Sequence, residues 1–256
     1  MRSTRVTAPA LVQSSGPRRA GDRTGAHLAR RLFSFSGVFP LGAFLVVHLV
    51  VNARALRGEA AFVGAARTLE RFPGIAAVEA VLVFLPLLVH AAIGAWLVAT
   101  RAPLAEPSPY PRGVAVAMRA TGVVVLAFLA MHLPELRLRA LGPAPDGGEL
   151  LTILSADLSS TWHAVPSRGI AYLIGTGAVT FHFVAGLWGA FARSRSGSVA
   201  STRRVAGWAA VALGAAMWLL FVDVVVLHAT GSRLFGSPAA AARSLEPCPA
   251  PSADKP

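Results

Sequence analysis

The chain has 256 residues, 54% hydrophobic and only 14% charged, with a mean hydropathy of +0.58; a soluble domain carries about 25% charged residues, so the composition excludes a disordered chain and argues against an ordinary soluble enzyme. Lys and Arg number 24 against 12 Asp and Glu, a net charge of +12. Every basic residue but Lys255 is an arginine, placed in the tails and between apolar runs with no nucleic-acid-binding motif around it, so these residues read as topology signals and headgroup contacts, with membrane lipid rather than nucleic acid as the partner.

In chain order, residues 1–29 are polar and Arg-rich without the apolar core of a secretory signal, and are expected to form a disordered cytoplasmic tail. The first apolar run, Leu32–Ala53, has no Asp, Glu, Lys or Arg. Between it and the second run, Arg57–Phe72 places Phe62, Val63, Ala66, Leu69 and Phe72 near helical spacing, which predicts a short amphipathic helix lying on the membrane surface. The second run, Gly74–Thr100, holds one acid, Glu79. Breakers at Arg101–Pro103 and Pro107–Pro111 separate it from the third, Gly113–Leu136, which contains Arg119 and Glu135. Gly142–Gly148 opens the longest loop. The fourth run is Gly169–Ala192 and the fifth Val205–Ala229, with Asp223 inside it. A Pro/Ala-rich tail, 231–256, is expected to be disordered and carries the lone cysteine, Cys248, so the chain has no disulfide framework or thiolate metal site of its own. Each run reaches the roughly 20 residues needed to cross a bilayer, and none alternates as a strand would. The expected fold is therefore an all-α membrane protein with five transmembrane helices, residues 30–230 forming the membrane domain. Arginines near the helix ends give a moderate bias. Arg23, Arg30, Arg31, Arg101, Arg112, Arg193, Arg195, Arg203 and Arg204 fall on one side, and Arg54, Arg57, Arg67, Arg71, Arg137, Arg139 and Arg168 on the other. The better choice puts the N-terminus in the cytoplasm and the C-terminus outside.

Four of the seven histidines lie well inside apolar runs, one on each of the first four: His48, His90, His132 and His182. At about 1.5 Å per residue, His48 lies roughly 24 Å and His132 roughly 28 Å from the inner ends of their helices. His90 and His182, on helices running the other way, each lie roughly 15 Å from theirs. His48 and His132 thus share an outer level, His90 and His182 an inner one. A lone membrane histidine is more often an interhelical hydrogen-bond partner or a proton relay than a haem ligand. Four of them, one per helix and matched in depth, point to two stacked b-type haems in a four-helix bundle, with both axial positions of each iron closed by imidazole, plus a fifth helix. Gly37, Gly42, Gly94, Gly122, Gly175, Gly177 and Gly186 would let flat macrocycles approach the backbone. His27, His163 and His228 read as surface or interface histidines.

Four stretches, in order, carry a resemblance: Arg30–Asn52 (RRLFSFSGVFPLGAFLVVHLVVN), Phe84–Gly94 (FLPLLVHAAIG), Arg119-Ala-Thr-Gly122 followed by His132 and Glu135, and Phe181–Trp188 (FHFVAGLW). Together they resemble the cytochrome b subunit of succinate dehydrogenase, in its single-chain, five-helix, di-haem class, over about Arg30 to Ala229. The resemblance implies an outer (distal) haem b held by His48 and His132 and an inner (proximal) haem b held by His90 and His182. It implies a bacterial cytoplasmic membrane, flavoprotein and iron–sulfur subunits docked on the cytoplasmic face, and a quinone, usually menaquinone, reduced near the distal haem.

It also implies supporting roles. Arg193 matches a basic position near the proximal propionates, and reads equally as a positive-inside flank. Arg30, Arg31, Ser34 and Ser36 lie at the same membrane face, as propionate contacts or helix caps, and Arg119 could act likewise. Glu79, eleven residues before His90 and on a similar face, matches an acidic position suited to proton exchange at a quinone site, or to a structural salt bridge. Asp223 is expected to be paired in the bundle or to face water. Close relatives often have histidine where Phe33 stands, and fumarate reductase relatives have glutamate where Thr180 stands, which mildly favours succinate oxidation. The alternatives are the anchor of a fumarate reductase, that of a hydrogenase or formate dehydrogenase, and a haem-free five-helix transporter or assembly factor.

Overall fold

The structure, a computed structural model, describes residues 31–100, 110–134, 147–194 and 199–235. Most of both tails, Arg30, the Arg101–Pro103 breaker, Glu135 and residues 142–146 of the expected long loop lie outside the described residues. Among the described residues every regular element is helical, apart from one isolated bridge between Trp162 and Val165. Five helices are long and apolar enough to cross a membrane: α1 (Arg31–Arg57), α3 (Ile75–Thr100), α4 (Arg112–Leu133), α6 (Ser167–Ala192) and α7 (Ala200–Thr230). Two shorter ones, α2 (Glu59–Glu70) and α5 (Gly147–Ser159), lie in the connections. This is a multi-pass, all-α membrane protein, as the five apolar runs predict.

The breaks have local causes. Pro40 removes one rung of α1, but bonds from Phe39 to Phe35 and from Ala43 to Phe39 (3.0 and 2.9 Å) carry the ladder past it. Gly58, at φ 112°, and Gly74, at φ 75°, turn the chain out of α1 and into α3, in conformations where a Cβ would be strained. In α3 a π turn spans Ala80–Phe84 immediately before Pro86, the Leu85 N–H reaching back to the Ala80 carbonyl.

Two expectations about the connections need correction. The amphipathic stripe of α2 does not simply face the membrane surface. Phe62 is 2% exposed and Ala66 is buried, and Phe62 joins a core with Ala55, Leu56, Val224 and Leu227, while Leu69 and Phe72 remain outside. The stripe is divided because α5 comes down on its first half: a Cβ on Gly147 would stand 3.1 Å from that of Ala66. The expected long loop is in part this helix α5, whose Leu154 and Leu158 are buried against Tyr172 and Val225. Thirteen residues are too few to span a bilayer, so α5 can be stable only by burying that face on α6 and α7.

The fifth spanning helix packs into the core. Over its last half, α7 buries Met217, Phe221, Asp223, Val224, Val225, Leu227 and His228, and it contributes to all three apolar clusters of the core.

Candidate functional site: two facing histidine pairs

The four intramembrane histidines meet as two pairs. His90 on α3 and His182 on α6 have ring centres 6.1 Å apart with planes at 89°. His48 on α1 and His132 on α4 stand 5.9 Å apart at 90°. The first pair lies beside the opening turns of α1, against Phe33 and Gly37, and is the near pair here; the other is the far pair. Depth arithmetic on the sequence gives the same two pairings.

Each ring is oriented through Nδ1 where a partner is present. In the near pair, His90 Nδ1 donates to the Phe33 carbonyl at 3.0 Å and lies 3.5 Å from Ser36 Oγ, itself a donor to the same carbonyl. The ring stacks on Phe33, centres 4.3 Å apart and 5° from parallel. His182 Nδ1 lies 3.4 Å from Thr121 Oγ1, whose hydroxyl donates to Ala117 O at 2.8 Å. In the far pair, His132 Nδ1 lies 3.2 Å from the Tyr172 hydroxyl. An Nδ1–H held this way leaves the Nε2 lone pair of the same ring as the metal-binding atom.

The near pair is built twice from one device. Ser36-Gly37 on α1 serves His90, and Thr121-Gly122 on α4 serves His182: the hydroxyl approaches Nδ1, and the glycine lets the ring lie on the backbone. A Cβ on Gly37 would be 2.6 Å from His90 Cε1, and one on Gly122 would be 3.3 Å from His182 Cε1. The glycines expected to admit macrocycles thus mostly admit side chains. Gly42 meets Phe183, Gly175 meets Phe128, Gly177 meets Trp218 and Gly94 meets Phe33, whereas Gly186 has nothing within 4 Å.

The supporting residues separate in the same way. Ser34 and Arg193 come together, Nη2 donating to Oγ at 3.4 Å, while Arg31 and Arg119 are exposed. Tyr110 donates to Ala185 O at 3.0 Å and packs against Trp188 and over Gly189. Burial pushes the Tyr110 phenol up, and the Arg193 guanidinium opposes that shift, so the hydroxyl is a neutral donor. Glu79 is half-buried near the start of α3. The π turn between Glu79 and His90 absorbs extra chain, so the shared face expected for an unbroken helix is turned by up to about 100°. Asp223, 3% exposed, is paired as expected, but with the turn after its own helix: Oδ1 accepts from Leu234 N (2.7 Å) and Phe235 N (3.3 Å), and Oδ2 lies 3.9 Å from Arg233. Thr180 is 3% exposed, and its Oγ1 makes no hydrogen bond among the described residues.

Of the remaining histidines, His163 is exposed as expected and His27 lies outside the described residues. Of the two positions expected for His228, surface or interface, the surface one does not hold: it is 6% exposed, with Nδ1 2.9 Å from Ser155 Oγ, where α5 meets α7. The sequence reading gave no role to Tyr172, Tyr110 or Thr121, although Thr121 lies in the Arg119–Gly122 stretch that carries the resemblance. Only the Thr121-Gly122 repeat of Ser36-Gly37 left a readable signal for any of them.

The donor set fits a metal with two protein ligands per site. Two metal–nitrogen bonds of about 2 Å each, plus the offset of each nitrogen from its ring centre, amount to about 6 Å between ring centres, close to the 5.9 and 6.1 Å observed. No group of three or more His, Cys, Asp or Glu that could hold a bare ion occurs among the described residues. Two imidazoles from facing helices would suit a metal whose remaining ligands come from a macrocycle.

The chain is 37% identical over 160 residues to a protein of Bacillus subtilis (strain 168) described as "Succinate dehydrogenase cytochrome b558 subunit", the match covering 62% of this chain and 75% of that one. No family model matches the chain, and no solved structure does.

Proposed function

The chain belongs to the family of succinate dehydrogenase cytochrome b558 subunits, and from that premise we propose that it is the membrane anchor through which electrons leave a flavoprotein and an iron–sulfur subunit and reach a quinone, menaquinone being the one the family resemblance implies. The observation that carries this is the pair of facing imidazole sets at two depths. His90 and His182 would hold one haem b, and His48 and His132 a second. A haem held by two imidazoles would supply one-electron transfer rather than oxygen binding.

The chain's own groups do the rest. The Phe33 carbonyl and the Ser36 and Thr121 hydroxyls hold the near imidazoles in one tautomer and one orientation. Arg193, already beside Ser34, offers a planar fork suited to a propionate carboxylate, with Arg31 at the same helix end. Glu79, half-buried toward the opposite end of α3, would be the group that exchanges protons with a quinone. The N-terminus lies in the cytoplasm of a bacterium and the C-terminus outside, in keeping with the arginine bias. The peripheral subunits then dock at the near-pair end and the quinone binds at the far-pair end. Thr180 puts a hydroxyl, not a carboxylate, next to the near pair's helix turn, which favours succinate oxidation over fumarate reduction.

Pyridine haemochrome analysis of the purified complex, with a succinate-reduced difference spectrum, tests this. We expect two haems b per chain, at least one reduced by succinate. A colourless chain, or one whose haem is not reduced by succinate while the flavoprotein is active, contradicts it.

A further inference from the structure

Resting on the di-haem reading above, we infer that Tyr172 is a positioning residue for the far pair: its phenol oxygen accepts the Nδ1–H of His132 and thereby sets both the ring's orientation and its strength as a donor. The oxygen lies 3.2 Å from Nδ1, and Tyr172 is 4% exposed. Three rings lock the contact. Phe128 stacks on His132, centres 5.3 Å apart at 21°, and meets Tyr172 edge-on at 5.3 Å and 88°. Phe128 in turn lies where a Cβ on Gly175 would stand. From the other side Leu154, Leu158 and Val225 pack on Tyr172.

A hydrogen bond accepted from Nδ1–H makes the imidazole a more basic ligand, and a more basic axial ligand favours the oxidised metal. Removing the acceptor makes the far site easier to reduce. In the near pair, His90 draws the equivalent effect from a backbone carbonyl, that of Phe33, which substitution cannot remove, while His182 has the Thr121 hydroxyl at 3.4 Å. The far pair draws it from a side chain, so its potential is separately adjustable.

The test uses the intact complex. Tyr172→Phe keeps the ring and its contacts with Phe128 and removes only the oxygen. We expect both haems to remain and the far haem's midpoint to rise while the near one holds, with about a threefold change in the ferrous/ferric ratio at fixed potential, which is about 28 mV at 59 mV per tenfold for one electron. An unmoved far midpoint with both haems present overturns the inference. If Tyr172→Phe loses the far haem, 3-fluorotyrosine at position 172 decides. It keeps the ring's size and weakens the oxygen as acceptor, so a smaller rise supports the assignment and no shift overturns it. The unsubstituted complex is read first: absence of haem there defeats the di-haem reading, and this inference with it, whereas two haems with an insensitive far midpoint defeat this inference alone.

Discussion

The near and far histidine pairs solve one problem in two ways. In the near pair both rings rest on glycine and lean on a neighbouring Ser or Thr, the Ser36-Gly37 and Thr121-Gly122 dipeptides doing on α1 and α4 the same thing for the next ring over. In the far pair His132 is held by aromatic side chains, Phe128 and Tyr172, and by the helix α5 packed behind them. The near support includes backbone that substitution cannot remove, the Phe33 carbonyl and the helix surface at Gly37 and Gly122. The far support is a side-chain cluster and can be varied residue by residue. A backbone cradle should therefore fail abruptly when filled, and a ring cluster by degrees.

Filling the near cradle has the largest expected effect. A Cβ at Gly37 already meets His90 Cε1 at 2.6 Å and Nδ1 at 2.9 Å, so Gly37→Leu must displace the ring. The overpacking itself costs about 1–3 kcal/mol, and we expect loss of the near haem with the far haem retained, read from low-temperature difference spectra. The same cradle on α4 is looser, with the nearest His182 atom at 3.3 Å, so Gly122→Ala should shift the near band without abolishing it. If Gly37→Leu instead removed the far haem, the division into two differently built sites would be wrong. Gly175→Val comes next. It pushes Phe128 off its seat, and should broaden or shift the far haem's signal while the near one is unchanged. Ser36→Ala should matter least. The Phe33 carbonyl at 3.0 Å keeps hold of His90 Nδ1 and the serine oxygen stands at 3.5 Å, so thermal stability of the near haem should fall by no more than about 0.5–1.5 kcal/mol. A loss as large as that of Gly37→Leu would mean that the hydroxyl, not the carbonyl, positions the ring.

Much of this was legible before any coordinates. Apolar length alone fixes five spans, and because successive helices run in opposite directions, a residue's distance from its helix end is its depth; that is why His48 pairs with His132 and His90 with His182 by arithmetic. Less was legible where a local signal was overruled from elsewhere. Leu150, Leu151, Leu154 and Leu158 have helical spacing, but the Pro/Gly cluster just ahead of them reads as loop, and only packing on α6 and α7 makes a thirteen-residue helix stable. His228 sits at the end of an apolar run, where surface and interface positions read alike; α5 buries it. The π turn at Ala80–Phe84 has a visible cause in Pro86, yet counting residues from Glu79 to His90 assumes a uniform helix. Tyr172 carries no motif, and its role depends on the angle at which α6 presents it to α4.

The pairing itself is tested most directly by removing one histidine at a time and recording low-temperature difference spectra of the assembled complex. His90→Ala and His182→Ala should each abolish the same haem band, and His48→Ala and His132→Ala the other. Any of the four variants retaining both bands, or a band lost jointly by His48→Ala and His90→Ala but not by their partners, would contradict the account.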